Sequence, residues 1–519
     1  MKVYEGKIIT CDQSGSVYKF LVEDKGRILW TGNVLPDEWS GVHKILLGEG
    51  CLVPSFADTH NHFMSHALFS GGLDIRPASS NAEAAEMTVR YEEKSREKIT
   101  LGFGASEYAV SEKKMITRSE LDRVLPAKPV FIVKYDGHAG VINSALLKML
   151  PDSIRTMRGY EPDSGLMTQE AFYKVTDFVT ATVSLPDTLK RMLRAADKMA
   201  EKGIALIHSC TGVGFPGDMD VTLESVFAKG LRNKIDYRVF FQTMDIKKIK
   251  KRSLPRVGGC FATALDGCFG SADAAMNSAY RNSSDKGVLY YSDETVIEFA
   301  KQANRTGLQI EMHAIGDRAF DQAVLAISSA LKDFPRKDHR HAIIHSCLIT
   351  DKGLKTCAKL GIAMAVQPSF IHWDQEPLSY LKKIMGDRAD RLNPLKTIHA
   401  AGVRMSGGSD APCTVPDPVN GIWAACNHYN KSESLTVQQA LNLFTIDAAW
   451  MSFDEKEKGS LETGKKADMV ILDKDILSYP KGKIRDIKVS QLIVSGNVYK
   501  PGQGRIDVIR RGLFSSRKI

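Results

Sequence analysis

Two histidines one residue apart, His60 and His62, follow the apolar run CLVPSFAD. His313 follows LQIEM, His345 follows HAII, and Asp410 follows VRMSGGS. Each run reads as a short strand, which sets all five side chains at strand C-terminal ends. Residues i and i+2 of a strand face the same way, so His60 and His62 can meet one ion. Imidazole nitrogens and a carboxylate are ordinary Zn²⁺ ligands at about 2.0–2.2 Å. A lone histidine in an α/β core is usually a satisfied structural residue, and His-x-His alone is a weak signal. Four histidines and an aspartate at matching strand ends are a stronger one. The chemistry they suit is the binding of a divalent metal, with zinc expected from the ligand types. His43, His339 and His428 instead fall on loops or helix edges, where solvated surface is the expectation.

The surrounding sequence supplies the elements that must position these residues. Residues 1–54 are β-rich: Val3 to Ile9, Val17 to Val22, Ile28 to Thr31 and Lys44 to Leu47 are short runs separated by turn residues. From about Leu52, short apolar runs alternate with amphipathic stretches, the rhythm of an α/β protein. Ser184 caps one helix with Pro186 in its first turn, and Leu189, Met192, Leu193, Ala196, Met199 and Ala200 keep helical spacing to Gly203. IALIHSC follows as a strand. Val296, Phe299, Ala300 and Ala303 line another helix that stops at Gly307, before LQIEMHAIGD. Further helix and strand pairs run on to VRMSGGSDAP, which favours a parallel sheet, open or closed. In a parallel barrel the C-terminal strand ends carry the active site. Residues ~75–180 break the rhythm and read as an insertion. From ~465 short strands return.

The order ADTHNHF, EMHAIGDRAFDQAV, IIHSCLI and SGGSDAP resembles the metal-dependent amidohydrolase superfamily. Within it the sequence is similar to the branch of N-substituted formamide deformylase, amidohydrolase family 3, and more distantly to D-aminoacylases. PVFIVKYDGHAGVINSALL and SGLMTQEAF resemble that branch's inserted segment, and GKKADMVILDKD with VSQLIVSGNVY resembles its C-terminal strands. The resemblance covers nearly the whole chain. It implies an α/β fold: a distorted (β/α)8 TIM barrel over residues 55–464, with the insertion at about 75–180. It also implies a small composite β-sandwich from residues 1–54 and 465–519. His60, His62, His313, His345 and Asp410 are then the metal ligands, with Asp410 also shuttling the proton and His345 also polarising substrate or water.

One departure stands out. Two-metal members of the branch carry a bridging, carboxylated lysine four residues before an Asp-Gly. In GGCFATALDGCFGS the Asp266-Gly267 pair is present, but Ala262 occupies the lysine position. Alanine has no donor atom. One ion, held by His60, His62, His313 and Asp410 with His345 left to polarise substrate or water, is therefore favoured over two, unless another residue bridges; Glu170, Lys134 and Cys210 are the candidates. Cys260 and Cys268 flank the same strand and are possible thiolate ligands, although buried structural cysteine is the commoner role.

The resulting expectation is hydrolysis of a C–N bond, in an amide, formamide or cyclic amide, by water activated at the metal. His138 and Asn143 in the insertion and Gln367 at a strand end are candidate substrate contacts. Asp317 and Arg318 are expected to fix a strand–helix turn, and Trp373 and Trp423 to serve in packing or as an aromatic wall. Two alternatives remain: hydrolytic deamination of a heterocycle on a one-metal site, and a non-catalytic binding protein that kept the fold.

Composition narrows the classes. The chain has 519 residues, 43% hydrophobic and 25% charged, which is ordinary for a globular protein and excludes long disorder. No apolar stretch reaches the ~20 residues of a spanning helix, and the N-terminus lacks a signal-peptide core. Nine cysteines, an odd number without a Cys-x-x-Cys pair, suit free thiols in a reducing cytoplasm. The net charge is +9, but residues 465–519 hold 13 basic and 5 acidic residues and so carry nearly all of it. The charge thus marks at most a contact surface away from the site. The expected partner is a small-molecule substrate, with no nucleic acid and no membrane, in a monomer or homodimer.

Overall fold

Eight parallel strands follow one another around a single sheet in the computed structural model. It describes residues 1–519 except 71, 96, 214, 232–234 and 516–518; the side chains at 70, 216, 261 and 262 also lie outside the description. Numbered in chain order, the barrel strands are β1 (Phe56–Asn61), β2 (Ile204–Thr211), β3 (Asp236–Phe241), β4 (Arg256–Ala264), β5 (Gln309–Ala314), β6 (Ala342–His345), β7 (Ala363–Val366) and β8 (Met405–Gly407). Each pairs with the next in parallel register. Strands β1, β2, β5, β6, β7 and β8 are buried at every residue, as strands covered on both faces must be. Helices supply the outer layer. Leu185–Glu201 starts at Ser184, whose side chain accepts the Asp187 N–H, and buries Leu189, Met192, Ala196, Met199 and Ala200 against the sheet. Asp293–Arg305 does the same with Val296, Phe299, Ala300 and Ala303 behind a Ser292 cap.

The seam between β8 and β1 is closed differently from the others. The Thr59 hydroxyl lies 2.9 Å from both Ser406 Oγ and the Gly407 carbonyl. Beyond the strand ends, Asp410 N donates to the His60 carbonyl and His62 N to the Ala411 carbonyl, each at 2.8 Å. Chain segments ~350 residues apart are thereby locked side by side.

A second irregularity lies in β4. Gly259 pairs with Met312, yet Ala264 pairs with His313, the very next residue of β5. Residues 260–263 are therefore extra, a bulge of the kind that re-aims side chains beside active sites. Gly258 and Gly259 enter it at φ +140° and +142°. A Cβ on Gly258 would lie 1.9 Å from the Glu311 carbonyl oxygen, and one on Gly259 2.4 Å from the Gln242 side chain. Gln242 Oε1 accepts the Cys260 N–H at 2.8 Å and so replaces a missing ladder bond.

Both chain ends build a second sheet of seven strands. Lys2–Ile9, Val17–Asp24, Arg27–Gly32 and Lys44–Pro54 join Met469–Leu472, Val489–Val494 and Asn497–Val498. Met469–Leu472 pairs antiparallel with Cys51–Pro54, immediately before β1. One apolar cluster takes Tyr4, Leu21, Ile28, Leu52, Met469 and Ile493 from across this sheet. The inserted segment has its own five-stranded mixed sheet, from Leu73–Asp74 to Leu166–Thr168.

The last segment departs from the expected composite. Arg505–Leu513 is a helix on the barrel flank, packed on helix Met219–Gly230. Gly230 and Gly512 permit the approach, since a Cβ on either would lie 2.1–2.2 Å from a backbone oxygen of the other helix. Part of the C-terminal positive charge (Arg505, Arg510, Arg511) therefore sits on the barrel, not on the end sheet. Among the described residues, no helix is long and apolar enough to cross a membrane.

Because the bulge has no room for a side chain at its entry, Gly258→Ala is expected to destabilise the protein by about 1–3 kcal/mol. Gly41→Ala, at a position with open space and ordinary φ, should stay within about 0.5 kcal/mol of the parent. Denaturant unfolding of the two variants measures the difference; equal stabilities would remove the bulge's steric requirement.

Candidate metal centre and active site

The barrel brings all five residues singled out by type and spacing to one end. His60 and His62 leave β1, His313 lies in β5, His345 ends β6, and Asp410 follows β8. Asp410 Oδ1 lies 3.2 Å from His60 Nε2 and 3.3 Å from His62 Nε2. Yet this buried oxygen has no hydrogen bond of normal geometry. The His313 and His345 rings meet edge to face at 4.7 Å, and the His60 and His345 rings at 5.3 Å. Cys260, for which a structural role was the commoner expectation, joins them: its Sγ lies 3.1 Å from His60 Nε2 and 3.5 Å from His345 Nε2.

These separations suit an ion. Bonds of 2.0–2.3 Å at a tetrahedral zinc keep ligand atoms roughly 3.3–3.7 Å apart. Donor atoms of His60, Cys260, His345 and Asp410 all lie within 4.8 Å of one another. The donor set of imidazole, thiol and carboxylate, with one carboxylate oxygen buried and unsatisfied, fits a divalent metal.

Charge states agree. Burial drives His60 below its usual range, His345 well below it and His313 down to about 3, so these rings are neutral and able to ligate. Burial opposes the Asp410 charge, but the adjacent His60 and His62 rings outweigh it and hold its carboxyl well below the usual carboxylate range.

A supporting layer fixes each ligand. Gln367 Oε1 lies 2.6 Å from His345 Nδ1, while its Nε2 donates to the Ala365 carbonyl. The amide thus accepts the imidazole proton and leaves Nε2 for a metal. Asp266 Oδ1 lies 3.2 Å from His313 Nδ1. The same carboxylate accepts the N–H groups of Ile315, Gly316 and Ala275, organising the turn after β5. Burial pushes Asp266 up to about 7 against those three donors. Asp58 accepts both the N–H and the hydroxyl of Ser409, at 2.9 and 2.5 Å, and so anchors the loop that carries Asp410. Asp410 and His345 both adopt left-handed φ, +55° and +66°, an uncommon state for such residues and one that clusters at functional sites. Below His60, Cys210 Sγ lies 3.5 Å from Nδ1. Glu311 is beside it, fully buried with both oxygens unpaired, and burial raises its carboxyl to about 8.

A cavity of about 1080 Å³, its open mouth included, rises from His62, His313, His345, Cys260 and Asp410. Its wall continues the stack outward from the metal end. Phe370 lies 5.7 Å from the His345 ring, Trp373 stacks on Phe370 at 4.5 Å, and Tyr135 meets Trp373 edge-on at 4.9 Å. The buried Trp373 Nε1 has no partner. Asp136 and Glu376 are the acidic groups of the wall, and burial pushes Glu376 up to about 8.

The remaining candidates separate by position. His138 lines the cavity, its N–H donating to Asp136 Oδ1. Asn143 does not line it. Its amide accepts from Val130 N and Leu146 N and donates to the carbonyls of Leu125 and Lys128, so it is consumed in capping a short helix. Gln367 likewise faces His345 rather than the cavity. Glu170 is exposed beside Arg158, and Lys134 is held between Glu107 and Asp136 at 3.1 and 3.2 Å; neither reaches the centre. Cys210 meets the far nitrogen of His60. Cys268 lines the cavity with Sγ 3.8 Å from Asp136, away from the histidines. Ala262 lies in β4, but its side chain is outside the described residues. Asp317 accepts the Asn277 N–H and Arg318 pairs with Asp293, which fixes the turn after β5. Trp423 packs at the surface beside Arg485. His43 is exposed, but His339 and His428 are buried: their Nε2 atoms meet the Leu360 and Leu392 carbonyls, so the solvated reading fails for both. Trp373 takes the aromatic-wall place that was one of its two expected roles, whereas sequence reasoning missed Asp58 and the other two rings of the wall, Phe370 and Tyr135. Asp58 had a signal, since it lies two residues before His60 on the same face.

Comparison with known proteins places this geometry. The model described as "Amidohydrolase family" matches residues 47–499. The Bacillus subtilis amidohydrolase-type protein YtcJ is 27% identical over 521 residues, 94% of this chain and 96% of the relative. N-substituted formamide deformylase of Arthrobacter pascens is 25% identical, covering 86% of this chain and 87% of its own. A crystal structure of an uncharacterized metal-dependent hydrolase from Pyrococcus horikoshii shares the fold with a TM-score of 0.74 at 23% identity, over 93% of this chain and 99% of the other.

The role of Gln367 is testable. Gln367→Leu removes the acceptor that fixes the His345 tautomer and should weaken metal binding by about 10–100-fold. Competition with a chelator measures it, and an unchanged affinity would exclude the orienting role.

Proposed function

From the premise that the chain belongs to the amidohydrolase family, we propose that it is a metal-dependent hydrolase of a non-peptide C–N bond in an amide, formamide or cyclic amide. The observation that carries the reading is the approach of one buried, unsatisfied Asp410 oxygen to His60 and His62 at the cavity floor. His60, His62, His313, His345 and Asp410 are the residues placed to hold the ion, and one zinc ion is favoured over two because Ala262 brings no donor. A divalent ion there supplies Lewis acidity and a water acidic enough to ionise near neutral pH.

The chain's own residues supply the rest. Asp410 is ionised and rigidly looped, so its carboxylate is set to take the proton of the attacking water. It then returns that proton to the departing nitrogen, and the group ends as it began. A positioned acid–base of this kind is worth about 10²–10⁴-fold. The neutral His345, its Nδ1 proton committed to Gln367, presents only Nε2 to the centre. The wall of Phe370, Trp373 and Tyr135 excludes water from the reacting carbonyl and gives an apolar substituent a flat surface to lie on.

The test pairs one variant with one substrate panel. Asp410→Asn should lower turnover by about 10²–10⁴-fold while metal analysis still finds the ion. Turnover near that of the parent would sink the assignment. Across N-formyl and N-acyl amines, cyclic amides and aminated heterocycles, release of an amine or acid supports the amide reading. Ammonia release from the heterocycles alone would favour deamination instead. Absence of any tightly held divalent ion in protein produced with zinc would favour a binding protein.

A further inference from the structure

The β4 bulge places a thiol where the family resemblance expects a lysine. Counting back from Asp266-Gly267 points to Ala262, but counting assumes an unbroken strand. The pairing of this strand with β5 instead shifts register between Gly259 and Ala264, and the strand's only sulfur, on Cys260, meets the histidines of the centre. Cys260 Sγ then stands 3.1 Å from His60 Nε2 and 3.5 Å from His345 Nε2. The residue is 5% exposed, its N–H is tied to Gln242, and the two glycines before it admit no side chain. Independently, Asp410 Oδ1, buried and without a hydrogen bond, points into the same space.

We propose that Cys260 is a metal ligand, completing with His60 and His345 a three-residue set for one thiophilic divalent ion. This rests on the metal-dependent reading above and goes beyond it by naming the fourth-strand donor. Three protein ligands are what a catalytic zinc site uses, with the remaining position open to exchange. Asp410 Oδ1 borders that position, so the carboxylate would help hold the ion and still take the proton of a water there. Sulfur also changes the choice of metal. A thiolate favours Zn²⁺ or Co²⁺, whereas oxygen-rich sites suit Mg²⁺ and Mn²⁺. Cys210 does not serve equally, because it faces His60 Nδ1 on the other side of the ring.

Cobalt provides the readout, since a thiolate bound to Co²⁺ gives a charge-transfer absorption in the near ultraviolet, separate from the visible ligand-field bands. The metal-depleted full chain is titrated with Co²⁺ alone, as wild type, Cys260→Ser and Cys210→Ser. The expected result is both kinds of band in the wild type and in Cys210→Ser. Cys260→Ser should lose the near-ultraviolet band, keep ligand-field bands and bind Co²⁺ more weakly by more than the ~10–100-fold typical of losing an outer partner. Wild-type ligand-field bands without the thiolate band, or a band that persists in Cys260→Ser, overturn the proposal and leave the metal-dependent reading standing. No Co²⁺ bands in the wild type overturn both. The wild-type spectrum decides even if Cys260→Ser fails to fold.

Discussion

The seam between β8 and β1 is the constraint on which the site depends. A parallel barrel of eight strands must join its last strand to its first, and here the join extends past the strands into the loops. The bonds Asp410 N to His60 O and His62 N to Ala411 O make the strand end that carries the two histidines and the loop that carries Asp410 one rigid unit. Asp58 reinforces it from below through Ser409. Without that closure the two ends of the barrel sequence would meet only through side chains. Asp410 could then not be held at left-handed φ beside two imidazoles.

Burial is the second determinant, and at His60, His313, His345 and Asp410 alike it disfavours the charged form. It keeps the imidazoles neutral and so preserves their lone pairs. The same burial makes each unpaired polar atom costly; His345 is tied from behind to Gln367, while Asp266 stands 3.2 Å from His313 Nδ1. The orientation of the His345 ring is thus decided by a residue that follows the next strand. The aromatic stack from His345 to Trp373 continues the low-dielectric surroundings into the cavity, where they strengthen any charge interaction made during reaction.

Departures from expectation have a common origin in backbone geometry. Asn143 and Gln367 were polar residues at plausible places, yet each amide is used up by neighbours, one by four backbone groups and the other by His345 and Ala365. Cys260 reaches His60 and His345 from a strand whose pairing register shifts just after Gly259. The rings of His339 and His428 meet the Leu360 and Leu392 carbonyls. None of these outcomes follows from residue type, since each depends on where another segment comes to rest, 13–18 residues away for three of the Asn143 bonds and 21–36 residues away for His339, His345 and His428.

The sequence by itself determined the ligand types, their location at strand ends, the alternation of strand and helix, and the caps at Ser184 and Ser292. These are local properties, set by side-chain chemistry and by periods of two and 3.6 residues, and they survive without knowledge of the fold. Only the tertiary structure decided which donors converge, which ring nitrogen each histidine presents, and that a cysteine stands in the fourth strand's place. Those are consequences of register and closure between segments up to 351 residues apart, such as Asp58 and Ser409. A single shift of pairing register, as between Gly259 and Ala264, changes them, and no local pattern of residue types records it.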